Sequence, residues 1–194
     1  MSELERLPRS PELMSRTDTG LLVVDVQAKL VPLIHDHPTM VFNIDRLIDG
    51  AGVLGLPMAV TEQYPQGLGS TIPELAAKLP AAPSKLHFSC GGCPQVFSQL
   101  REQGSHKLLV VGMEAHVCVQ QTVMDLLTDG WRVYLAVDAL GSRGVLDEEI
   151  ALRRMESAGA TLTTTEAALF EWCDVSGTPE FKQISQLVRK VQGT

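Results

Sequence analysis

Leu108, Leu109, Val110 and Val111 stand together with no polar residue among them, and Gly112 ends the run. A strand with one solvated face alternates apolar and polar residues. A strand without alternation has both faces covered, as in a parallel sheet. Leu21 to Val24 repeats the pattern after Gly20, within LLVVDVQ. Parallel strands need long crossovers, and the intervening sequence supplies them as helices. Val41 to Leu54 places Val41, Ile44, Leu47, Ile48, Ala51 and Leu54 on one face and stops before Gly55. Pro94 to Gln103 stops before Gly104, and Val119, Val123, Leu126 and Leu127 recur at helical spacing until Gly130. Leu146 to Ala158 reads as a helix on Leu146, Ile150, Leu152 and Met155, and Thr178-Pro179 reads as the cap and first turn of a last helix reaching Val191.

Four further strand signals lie between these helices: Pro57 to Thr61, Ser84 to Ser89, Trp131 to Val137 reaching Asp138, and ATLTT from Ala160. Strands alternating with helices predict an α/β chain, a doubly wound and mainly parallel six-stranded sheet with helices on both faces: a Rossmann-like three-layer sandwich. Ligands of such sheets bind at the carboxyl ends of the strands. A length of 194 residues suits one domain spanning 1–194, with residues 1–18 as a polar lead-in. No repeat or linker divides the chain.

A formal charge of −7, with no basic cluster, argues against nucleic acid or an anionic membrane as partner and leaves small molecules and proteins. The opening MSELERLPRSPELMSR lacks the apolar core of a signal peptide, and no apolar run approaches the ~20 residues of a membrane span, so a soluble, cytoplasmic protein is expected. Four cysteines without a secretory signal are expected to stay reduced. No P-loop or GxGxxG turn is present, and no cofactor is expected.

Cys118 follows the central strand and sits at or just inside the next helix. There the positive end of the helix dipole favours thiolate over thiol, although a small buried hydrophobe is the alternative reading. Asp25 ends the first strand, where a carboxylate either caps the following loop or serves a site. Lys85 lies on the third strand, so a doubly wound sheet can bring these three to one crevice. The Gly- and Pro-rich loop opened by Glu62, Gln63 and Tyr64 lies at the second strand's carboxyl end, as site-walling loops do.

The ordered pieces LLVVDVQ, KLHFS and GMEAHVCVQQTVMDLLTDGWRVYLAVDALGSR resemble the isochorismatase-like cysteine hydrolases over nearly the whole chain. The resemblance implies a triad of Asp25, Lys85 and Cys118. Cys118 would attack a carbonyl carbon, Asp25 would move the protons and Lys85 would offset nearby negative charge. It also implies an oxyanion hole from the backbone N–H groups of Glu114 and Cys118, a cis peptide bond at Met113–Glu114, a small-molecule substrate and a homo-oligomer. Gln27, Glu62, Tyr64 and His116 are the candidate substrate-binding residues, with His116 lining the pocket rather than serving as base. The family's nicotinamidases carry an Asp-x-His metal motif where this chain has TEQYPQGLG, so no metal is expected and a metal-free branch of the family is the match.

Cys90-Gly-Gly-Cys93 is a competing signal, with the spacing of a redox pair or, with His87, part of a zinc site. A second C-x-x-C is missing, so a loop lining the site is the expectation. Small amide, ureido or related C–N substrates cleaved through a Cys118 thioester follow from this reading. The alternatives are a non-catalytic binding or scaffold protein with a reactive thiol, and a vinyl-ether hydrolase working through Asp25 alone.

Overall fold

The computed structural model describes residues 7–192. Its elements run in order β1 (Thr19–Val24), α1 (His37–Leu54), β2 (Met58–Gln63), α2 (Pro65–Leu68), α3 (Pro73–Ala76), β3 (Ser84–Lys85), α4 (Pro94–Glu102), β4 (Lys107–Met113), α5 (Gln120–Thr128), β5 (Arg132–Gly141), α6 (Val145–Ser157), β6 (Thr161–Thr163), α7 (Thr165–Cys173) and α8 (Pro179–Arg189). A π-helical turn, Ala115–Val119, joins β4 to α5.

All strand pairings are parallel, in the order β3-β2-β1-β4-β5-β6. The chain is therefore the α/β sandwich that its strand and helix pattern predicts. Every residue of β1 and β4 is buried, which explains why neither strand alternates. Their side chains divide between two apolar layers. Leu21, Val23, Leu109 and Val111 meet α1, α7 and α8, with Ile44, Leu47, Trp172 and Ile184 across from them. Leu22, Val24, Leu108 and Val110 meet α4, α5 and α6, together with Cys90, Cys118, Val123 and Met155.

The strand order reverses direction between β1 and β4, and a crevice opens at the carboxyl ends of such a pair because successive crossovers leave in opposite directions. The two strands approach closely there. Gly112, at φ +130°, pairs with Val24, and a Cβ on it would stand 2.2 Å from the Val24 carbonyl oxygen. Only glycine fits that position.

Several elements depart from the sequence reading. β3 stops at Lys85 instead of running to Ser89, because the chain bends back so that the Phe88 carbonyl accepts from Lys85 Nζ at 2.8 Å. β5 runs on to Gly141, with its register against β4 shifting between Val110 and Gly112. α7 was not expected. Thr164 caps its start, and Asp138 accepts from the backbone N–H and hydroxyl of Thr165 at 2.8 and 3.0 Å. On α6 the inward residues are Ala151 and Met155, whereas Val145, Leu146 and Ile150 are exposed. At α8 the Thr178 cap holds, with its hydroxyl oxygen accepting from the Phe181 N–H, but the helix ends at Arg189. Among the described residues no helix is long and apolar enough to cross a membrane.

Candidate active site

Three strand ends converge on one buried cluster. Val24 pairs with Thr61, and Gln63 pairs with Lys85, so Asp25, the residue after β1, emerges beside the ends of β2 and β3. Asp25 takes a left-handed backbone conformation, φ 54°, which asparagine and aspartate tolerate better than most side chains. Its Oδ2 accepts from Lys85 Nζ at 2.6 Å, and both side chains are almost wholly buried. Lys85 also donates to Gln63 Oε1 at 3.0 Å and to the Phe88 carbonyl. An ammonium has three hydrogens, and each has a partner. Thr61 donates to the other Asp25 oxygen, Oδ1, at 2.9 Å.

Cys118 lies in the π-helical turn, with α5 beginning two residues later at Gln120. It is 6 % exposed and feels the Asp25 carboxylate electrostatically. The expectation of a thiolate favoured by the helix end is overturned. Burial pushes the thiol well above its ordinary range, the Asp25 charge pushes it further, and Lys85 opposes them without prevailing. Cys118 therefore rests as a thiol in the field of a carboxylate.

The cis peptide implied at Met113–Glu114 is likewise corrected, since every peptide bond among the described residues is trans. Glu114 instead takes a left-handed conformation, φ 56°, and this turns the chain from β4 into the π-helical turn. Its buried carboxylate accepts from Arg143 Nε at 2.5 Å. The second oxygen, Oε2, has no hydrogen-bond partner and lies 3.4 Å from His116 Nδ1. His116 Nδ1 is also 3.1 Å from Ser142 Oγ, which joins the turn to the end of β5.

The four candidate substrate-binding residues separate into two kinds. Gln27 has no exposure. Its amide donates to the Gln63 and Gly69 carbonyls at 3.0 and 2.5 Å and accepts from the Gln63 N–H at 2.7 Å, so it fastens β2 to the loop that follows. Glu62 is likewise committed, with Oε1 accepting from the Thr71 N–H and hydroxyl. Tyr64 is half exposed, with its N–H bound to the Lys85 carbonyl, and His116 is partly exposed. A cleft of about 530 Å³ opens alongside, lined by Leu86, His87, Phe88, Ser89, Gln121 and Asp125.

Cys90 and Cys93 are free and buried, but they point to different partners. Cys90 Sγ is 3.3 Å from Thr61 Oγ1, and Cys93 Sγ is 3.7 Å from the Ser84 carbonyl. Among the described residues no group of three or more His, Cys, Asp or Glu is placed to hold a metal ion. Thr61, Thr122 and Arg143 are the members of this neighbourhood that sequence reasoning did not find, whereas it places Gln63 and Cys90 in loops expected to line the site. Thr61 and Gln63, two apart on a strand, share the face that meets Asp25 and Lys85, and that spacing was the available signal.

Residues 19–167 match the family model for the isochorismatase domain. The chain belongs to the isochorismatase family. Isochorismatase domain-containing protein 2 of Danio rerio is 36% identical over 176 residues, covering 90% of this chain and 89% of the relative. Secreted isochorismatase effector Isc1 of Phytophthora sojae is 36% identical, covering 88% of this chain and 84% of its own. Among solved structures, that of MAR1 ribonuclease from Caenorhabditis elegans superposes with a TM-score of 0.86 at 39% identity, over 94% of this chain and 95% of the other. Isochorismatase-family membership supports a hydrolase on this α/β sandwich.

Proposed function

We propose that this isochorismatase-family hydrolase cleaves a small amide, ureido or related C–N substrate through a thioester on Cys118. The observation that supports this most is the buried Asp25–Lys85 pair whose charges both act on the Cys118 thiol. A thiol held protonated attacks only as it loses its proton, and Asp25 is placed to take it. Sulfur then bonds to the substrate carbonyl carbon, and the carbonyl oxygen gains the charge, which we assign to the N–H groups of Glu114 and Cys118. Asp25 next gives the proton to the leaving nitrogen, the C–N bond breaks and the amine departs. A water molecule, deprotonated by the same carboxylate, attacks the thioester, releases the acid and restores the thiol.

Lys85 offsets the charge of Asp25 between these transfers. With all three hydrogens engaged it has none left for substrate. Tyr64 and His116, both with exposed surface, are proposed to line the substrate's path, whereas Gln27 and Glu62 hold the loop in place. The reading calls for no metal and no cofactor. The chain is further proposed to act in the cytoplasm, as one domain, and as a homo-oligomer joined through the exposed apolar Val145, Leu146 and Ile150 of α6; sedimentation velocity of the wild type against Leu146→Glu tests that association.

Turnover of a panel of small amides and ureido acids tests the reaction. Cys118→Ala and Asp25→Asn should each lose on the order of 10² or more in rate. Intact mass spectrometry during turnover should record an acyl adduct on Cys118. Wild-type turnover by Cys118→Ala would sink the covalent route and leave acid catalysis by Asp25.

A second reading comes from the 39%-identical protein described as a ribonuclease. RNA presents a dense line of phosphate charge, which a chain of net charge −7 repels unless a local cationic surface offsets it. RNA cleavage that persists through purification and vanishes in Cys118→Ala would move the substrate class there.

A further inference from the structure

The reaction proposed above asks Asp25 to keep one oxygen turned toward the thiol while Lys85 pulls on the other. An ammonium facing a carboxylate gains by drawing in both oxygens, so something must hold Oδ1 away from Lys85. Thr61 is fully buried and grips Asp25 twice: its carbonyl accepts from the Asp25 N–H at 3.2 Å, and its hydroxyl donates to Oδ1 at 2.9 Å. A hydroxyl has one hydrogen, and the carboxylate can only accept. The contact between Thr61 Oγ1 and Cys90 Sγ, 3.3 Å, is therefore S–H donating to oxygen, which fixes the direction in which the hydroxyl points.

The line extends beyond Cys90. The Cys90 N–H donates to Thr122 Oγ1 at 2.8 Å, and that hydroxyl donates to the Cys118 carbonyl at 2.7 Å. Both threonines and Cys90 have no exposure, so water cannot replace any member.

We propose that Thr61 is the positioning residue for Asp25, fixing Oδ1 and with it the orientation of the carboxylate, and that Cys90 serves by orienting the Thr61 hydroxyl. Cys90 thus has a use that is neither redox nor metal binding: it is an obligate donor. Burial suits it to that use by raising its thiol to about 11, so that it keeps its hydrogen at neutral pH. The inference rests on Asp25 acting as the base, but it can be tested without knowing the substrate.

The rate of Cys118 alkylation by iodoacetamide, followed by peptide mass spectrometry from pH 6 to pH 9, reads the base directly. A thiol deprotonated by a neighbouring carboxylate reacts at a rate that is flat over this range, whereas an unassisted thiol of raised pKa gains about tenfold per pH unit. The wild type should be flat. Thr61→Val should lose the flat region, falling at least about tenfold at pH 7, and Thr61→Ser should restore it to within about threefold. Cys90→Ala should fall between them.

Asp25→Asn separates the two claims. If Asp25→Asn stays flat, the carboxylate is not the base and the proposed reaction fails. If Asp25→Asn becomes pH-dependent while Thr61→Val stays flat, only the role given to Thr61 fails. Should Thr61→Val fold poorly by near-ultraviolet circular dichroism, Cys90→Ala decides. A lowered flat region supports the positioning line, and a wild-type rate overturns it.

Discussion

Lys85 and Asp25 form a buried ion pair whose two halves are unequally replaceable. Taking away the ammonium leaves an almost wholly buried carboxylate with one fewer donor, and breaking such a pair from one side costs about 3–5 kcal/mol. Lys85→Met should therefore lower stability to urea by that amount, and Asp25→Asn added to it should recover part of the loss, because the stranded charge is gone. Urea unfolding of both single variants and the double variant measures the coupling; strictly additive losses would mean that the pair is not what Lys85 contributes. At this scale the sequence was informative about position and silent about protonation. Asp25 and Cys118 could be picked out because each follows an apolar strand, and Lys85 because it lies on another strand whose end meets theirs. The state of the Cys118 thiol depends on how deeply the π-helical turn is buried and on which carboxylate it faces. Neither is written in the local residues. Thr61 escaped notice because threonine is ordinary in a strand, and its hydroxyl acquires meaning only when β1 places Asp25 beside it.

The strands' apolar runs made the sheet readable, and the errors fall where an element ends for a tertiary reason. β3 was read too long because Leu86 and Phe88 alternate with polar residues like a strand, yet both side chains are exposed and the chain turns to serve Lys85. α7 was missed because no glycine or proline separates it from β6. Its start is set by the Thr164 cap and by Asp138 of β5, a residue distant in sequence. Gly112 belongs with the elements that were legible, as the stop of β4, although its reason was not. Any Cβ there meets the backbone of Val24 in a conformation that side chains rarely adopt. Gly112→Ala should cost about 3 kcal/mol or more by strain and clash together, and should spread β1 from β4. A urea midpoint close to that of the wild type would show that the strands can part there without loss.

Across the whole molecule the segment before β1, read as a lead-in, is fastened to the floor of the sheet. Met14 is wholly buried, and Lys107 donates to the Leu13 carbonyl at 2.7 Å and to Asp18 at 2.8 Å. Partial burial alone would raise the Asp18 carboxyl, but the bonds from Lys107, Thr19 and Ser15 outweigh it and hold the group below its ordinary value of 3.8. A depressed carboxyl stabilises the fold above its unfolded pKa, and the contribution fades as pH falls through the lower folded value. Asp18→Asn should thus lower the melting temperature at pH 7, by roughly 4–8 °C for a loss of about 2 kcal/mol, and the gap should close toward pH 3. A gap that persists in acid would assign the effect to packing instead. The strand order also governs how the chain fares before it is complete. β1 emerges early in synthesis but has its final place between β2 and β4, and at roughly 5–20 residues per second β4 follows on the order of ten seconds later. For that interval the four apolar residues Leu21 to Val24, destined for the centre of the sheet, have one neighbouring strand at most, and Cys118 does not yet exist. A chain halted on the ribosome short of Lys107 would carry Asp25 without Cys118, and would present β1 as a surface for holding chaperones.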